Sequence, residues 1–170
     1  MAIPLSACYN GLDVKQSNLT NMSDEEWMRH AVALAQRAAD DGEVPVGAVA
    51  VRYGHVIGQG YNRKEAANDP TAHAEIIALK QAAAAIGNWR LTDVTLYCTL
   101  EPCPMCAGAM IQARLERLVY GARDVRFGAD GSVVDVLNSD QFNHQVCVDR
   151  GLLESESAAL LQTFFRNLRK

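Results

Sequence analysis

The chain has 170 residues, of which 49% are hydrophobic and 21% charged, and a formal net charge of −4. That length suits one globular domain with no need of disulfide staples, and the acidic balance excludes a global attraction to nucleic acid or anionic membrane, leaving only local patches. No stretch approaches the roughly 18 apolar residues of a membrane span, and five unevenly spaced cysteines with no basic start before an apolar run argue against secretion and predict a reducing, cytoplasmic location.

Residues 1–22 show no helical or strand period and read as an N-terminal extension ahead of a domain over 23–170. Ser23-Asp24-Glu25-Glu26 has the form of a capping box, and Trp27, Ala31, Leu34 and Ala38 then share a face, which predicts a helix ending at Asp41-Gly42. Val44–Val51 and His55–Tyr61 flank a Tyr53-Gly54 turn and predict an antiparallel hairpin, with Pro45 suited to a strand start. Asp69-Pro70-Thr71 precedes an alanine-rich helix that ends near Gly87. Asp93–Leu100 is an apolar strand running into a helix that opens at Cys103-Pro104, and Arg117–Ala122 is the next strand. Strand, helix and strand in so few residues make a parallel crossover, so the sheet is expected to be mixed. Arg123–Ser132 reads as a loop, VVDVLN (133–138) as a short helical turn, QVCVD (145–149) as an edge strand and Glu154–Arg169 as an amphipathic helix.

His73-Ala74-Glu75 opens one predicted helix, and Pro102-Cys103-Pro104-Met105-Cys106 opens another. Thiols three apart in a first helical turn face one side, where the helix N-terminus steadies thiolates. One imidazole added to them makes a three-ligand zinc site with its fourth position free for water, which on such a metal ionises near pH ~7. In mid-helix a Glu two residues after a ligand His would point away from it. In a first turn both can reach a metal beyond the helix end, where Glu75 could move protons. A CxxC alone is as well explained by a redox pair or by buried small side chains, and an isolated HxE by an ordinary helix start. Both together, on adjacent elements of one sheet, favour the metal site. Cys8, Cys98 and Cys147 are expected to fill core or surface positions, as are His30 and His55.

The pattern H-A-E…P-C-x-x-C resembles the zinc-dependent cytidine/deoxycytidylate deaminase superfamily, whose metal and proton-shuttle roles are known chemistry rather than a reading of spacing. VPVGAV, Asn62-Arg63, DPTAHAEI, LYCTLEPCPMCAGAM, YGARD and ALLQTFFRNLR are similar, over about Ser23 to the C-terminus, to the bacterial tRNA adenosine deaminases, which convert the wobble adenosine of an arginine tRNA anticodon to inosine. The resemblance implies an α/β three-layer fold with a five-stranded mixed sheet between helices. It implies one Zn2+ per chain on His73, Cys103 and Cys106, and Glu75 as proton shuttle. It further implies a target-nucleotide pocket formed by Val46, Asn62, Ala74 and Leu100, contact of Asp135 and Phe165 with the anticodon stem-loop, and a homodimer. Taken without the resemblance, Asn62 is a strand-end turn former, Asp135 a local cap or ion pair, and Phe165 a core or interface aromatic. The long N-terminal extension and Arg126-Phe127, in place of a more usual Lys-Thr or Lys-Gly, depart from the family pattern. The rival readings are a deaminase of a free nucleobase or nucleotide, of cytosine or guanine type, and a non-catalytic RNA-binding zinc module; the redox reading ranks below both.

Overall fold

The computed structural model describes residues 22–169. Cys8 and almost all of the expected N-terminal extension lie outside the described residues.

Helix α1 (Asp24–Asp40) starts at the Ser23 cap, with both halves of the capping box formed. Strands β1 (Gly47–Arg52) and β2 (His55–Tyr61) pair antiparallel around the Tyr53-Gly54 turn. A single turn of helix, α2 (Lys64–Ala67), leads to α3 (Ala74–Ile86), which stops at Gly87 in the left-handed region with φ of 70°. Then come β3 (Thr95–Leu100), α4 (Pro104–Gln112), β4 (Arg117–Ala122), β5 (Cys147–Arg150) and α5 (Glu154–Leu168).

The five strands lie in the order β2-β1-β3-β4-β5, with β3, β4 and β5 mutually parallel and β1 antiparallel to both its neighbours. Strand alternation divides the core into two clusters. Ala48, Ala50, Leu96, Cys98, Leu118 and Tyr120 face α3 and α4, whereas Val49, Val51, Tyr97 and Val119 face Trp27, Met28 and Ala31 of α1. Helix α5 packs against β4 and α1 on that second side. The result is the expected three-layer α/β architecture with a five-stranded mixed sheet.

Two expectations need correction, and one element was not anticipated. Val44–Val46 does not join β1, which begins at Gly47. The one-turn α2 has no apolar period from which to read it. Residues 133–138 are not helical: Gly131 takes φ of +95°, and the chain folds back so that Asp130 bridges Asp135 and Val136 N–H donates to Ala129 O at 2.9 Å. Exposed β-branched Val133 and Val134 suit that extended return better than a helix. No helix among the described residues is long and apolar enough to cross a membrane.

Candidate metal centre

His73 is the N-cap of α3 and Cys103 the N-cap of α4, both with extended backbone, and neither side chain caps its own helix. An N-cap side chain ordinarily accepts from the first-turn N–H groups, so these two are free for another partner. Pro104 at the first position of α4 fixes the start of that helix and brings Cys106 to its third position. His73 Nδ1 thereby stands 3.7 Å from Cys103 Sγ and 3.6 Å from Cys106 Sγ.

Those spacings test the fit of a metal. Zn–S bonds of ~2.3 Å and a Zn–N bond of ~2.05 Å at tetrahedral angles require an S···N edge of about 3.6 Å. His73, Cys103 and Cys106 therefore fit one zinc ion, and they form the His/Cys/Cys cluster that the described residues offer for a metal. The thiols share their protons unequally. The Cys106 thiol donates to Cys103, which lowers the pKa of Cys103 and, with burial, pushes up that of Cys106. The hydrogen bond with Cys103 likewise raises the pKa of His73.

Glu75 occupies the second position of α3 and is only 4% exposed. Burial raises its carboxyl pKa, and the Cys106 thiol lies within hydrogen-bonding reach. The first-turn geometry thus brings a second residue, two along from the ligand histidine, to the same centre.

The pocket residues expected from the resemblance surround the two helix starts. Buried Asn62 accepts the first N–H of α3, from Ala74, through its Oδ1 at 2.9 Å, and its own N–H donates to Val46 O at 3.1 Å. Gly47 N–H donates to Thr99 Oγ1 at 3.1 Å, tying the start of β1, next to Val46, to the end of β3 beside Leu100. The strand-end reading of Asn62 is correct as far as it goes. Its capping of α3 was invisible because the residues it joins are 12 apart in sequence.

Asp135 and Phe165 stand apart from this ring of contacts. Asp135 is exposed and accepts from the Asn138 side-chain amide at 2.6 Å, as a local cap does. Phe165 is half-buried, edge-to-face with Phe164 at 5.5 Å between ring centroids, and the Arg126 guanidinium lies 5.9 Å from its centre. The sequence reading missed Glu101, a carboxylate buried at the end of β3. Its signal was an acid placed between an apolar strand and Pro102.

Two ligands at helix N-cap positions, a third ligand one turn along and a buried acid at the carboxyl ends of parallel strands define a zinc-dependent deaminase of the cytidine deaminase superfamily. The family model for MafB19-like deaminases matches residues 22–169. The chain is 46% identical over 147 residues to the tRNA-specific adenosine deaminase of Bacillus subtilis strain 168, covering 86% of this chain and 91% of that one. A structure solved in a study of A-to-I editing by tRNA:A34 deaminases at the wobble position superposes with a TM-score of 0.77 at 46% identity, over 79% of this chain and 98% of the other. The guanine deaminase of Bacillus subtilis matches at 33% identity and a TM-score of 0.60, over 86% and 95% of the two chains. The chain belongs to the bacterial tRNA-specific adenosine deaminase family.

Proposed function

We propose that the protein hydrolyses adenosine to inosine at the wobble position of a tRNA anticodon, releasing ammonia. The observation that carries this is the zinc-sized triangle of His73, Cys103 and Cys106 against buried Glu75, in a chain 46% identical to a tRNA-specific adenosine deaminase. Zinc held by those three ligands supplies Lewis acidity and a water acidified to a pKa of about 7. The chain's own residues do the rest. Glu75 takes one proton of the attacking water and passes it to N1 of adenine as the oxygen bonds C6, then carries the second proton from the new hydroxyl to the departing amine, which leaves as ammonia while C6 becomes a carbonyl. Burial suits it to this cycle, because a carboxyl with a raised pKa gives and takes a proton at neutral pH more readily than a solvated one.

In this reading Val46, Asn62, Ala74 and Leu100 enclose the target base, and Asn62, held by its bond to Ala74 N–H, orients it. Asp135 and Phe165 meet the anticodon loop, where Phe165 offers a stacking face and Asp135 a hydrogen-bond acceptor for a base or ribose. The pocket takes an unpaired nucleotide, which an anticodon loop presents at little unstacking cost; this family is a standing example of that rule. An arginine tRNA as substrate, a homodimer holding it between two subunits and a cytoplasmic location complete the proposal. Guanine-type deaminases match at lower identity, which favours the RNA substrate over a free base.

The test is incubation of zinc-loaded protein with total tRNA, followed by nucleoside identification and sequencing of the modified species. Inosine confined to the wobble position of an arginine tRNA, formed by a particle of twice the chain mass, is the expected result. Unchanged tRNA alongside turnover of free guanine or cytosine would overturn it.

A further inference from the structure

Glu101 sits between the last residue of β3 and the Pro102-Cys103 turn, and it is 1% exposed. Its carboxylate accepts from the backbone N–H groups of Asp124 at 3.0 Å, Asp130 at 2.9 Å and Ser132 at 3.3 Å, and from the Ser132 hydroxyl. All four donors belong to the segment that follows β4. Ala129 N–H adds a bond to Pro102 O at 2.9 Å, one residue from Cys103. Core packing does not account for this acid, since an apolar side chain here would strand three backbone donors. The loop is fitted to it: a Cβ at Gly128 would stand 2.5 Å from the Glu101 carboxyl carbon.

The outer side of the same loop is apolar and open. Val125, Phe127 and Val133 are exposed, Phe127 by 66%, and Arg126 beside them approaches Phe165. We infer that Glu101 is a positioning residue for RNA: it clamps residues 124–132 to the metal-bearing turn, so that the loop meets the unpaired bases flanking the target as a wall already in place. A loop ordered before binding spares the complex the entropy of ordering it, which strengthens binding without touching the chemical step. Aromatic Phe127 and the neighbouring arginine suit stacked bases. This inference rests on the wobble-adenosine reading above.

The experiment measures zinc content, kcat and KM on an anticodon stem-loop for the wild type, Glu101→Gln and Ser132→Ala. Glu101→Gln keeps the side-chain shape but turns an accepting oxygen into a donating amide opposite existing donors. Its KM is expected to rise about tenfold, with kcat within about twofold and zinc unchanged, as suits the loss of charge-assisted bonds remote from the reacting atoms. Ser132→Ala removes one donor only and shifts KM the same way by about threefold. It carries the test by itself should Glu101→Gln fail to fold. Partial misfolding lowers the active fraction, and so kcat, at constant KM, and does not imitate this pattern. Unchanged KM in the folded variants, or a fall in kcat that tracks zinc loss, overturns the positioning role. A wild type that leaves the stem-loop adenosine intact overturns the wobble reading, and this inference with it.

Discussion

Glu75 gains its reactivity from where it sits in α3. At the second position of the helix it points past the helix end, towards the three ligands, and burial there disfavours its charged form. Glu75→Gln keeps size and polarity and removes only the ability to carry a proton, so it is expected to retain zinc and fold while losing about 10²–10⁴ in kcat. Metal analysis beside rates of inosine formation checks this, and turnover within tenfold of wild type would remove Glu75 from the reaction. The residue types at the centre could be read directly from the sequence, because His, Cys and Cys at helix starts have few other uses in combination. Glu101 carried only the weak signal of an acid between an apolar strand and Pro102, and Asp130 carried none. Asp130 accepts from Tyr120 Oη at 2.9 Å and pairs with Arg150, contacts that link strands β4 and β5 through a loop whose path the sequence does not reveal.

The elements were readable where one signal dominates and obscure where a turn or a close approach decides. Continuous apolar, β-branched runs in β1, β3 and β4, the short β3-α4-β4 crossover, the Ser23 capping box and the Gly87 stop led to the right helices, strands and mixed sheet. Residues 133–138 misled because five apolar or amide-bearing side chains in six resemble a helical turn, although their backbone bonds run back to 128–131. The small residues of β2 carried a message that strand propensity hides. A Cβ at Gly58 would lie 2.3 Å from Ala78 O, within the backbone of α3, so the missing side chain sets how closely the helix that bears His73 and Glu75 approaches the sheet. Gly58→Ala must push α3 outwards. It is expected to destabilise by about 1–3 kcal/mol, as overpacking does, and to weaken zinc retention, measured by urea unfolding and by competition with a chelator. Wild-type stability with wild-type zinc affinity would show that α3 has slack.

Across the whole molecule, catalysis and cohesion occupy opposite ends of the parallel strands. The centre lies where β3 and β4 finish, beside Leu100 and Ala122, the end at which open α/β sheets hold ligands. At their starts, Arg117 donates to Asp24 through Nη2 at 2.6 Å and to Asp149 through Nε at 2.7 Å, and Tyr97 Oη donates to Asp24 at 2.6 Å. This cluster fastens the first turn of α1 to β3, β4 and β5. The hydrogen bond from Arg117 holds the Asp24 carboxyl below its ordinary value of 3.8, with Tyr97 assisting and burial opposing. A depressed carboxylate stabilises the fold in full above its unfolded pKa and loses that contribution as pH falls through the lower folded value. Asp24 is partly exposed, so solvent screening limits the contribution to about 1 kcal/mol or less. Urea unfolding of the wild type and Asp24→Asn is therefore expected to show a stability gap that is constant from neutral pH to about pH 5 and closes below about pH 4. Because the cluster is remote from the centre, kcat at neutral pH is expected to be equal in the two proteins. A gap that persists undiminished at the acid end would assign the stabilisation to the shape of the side chain rather than to its charge.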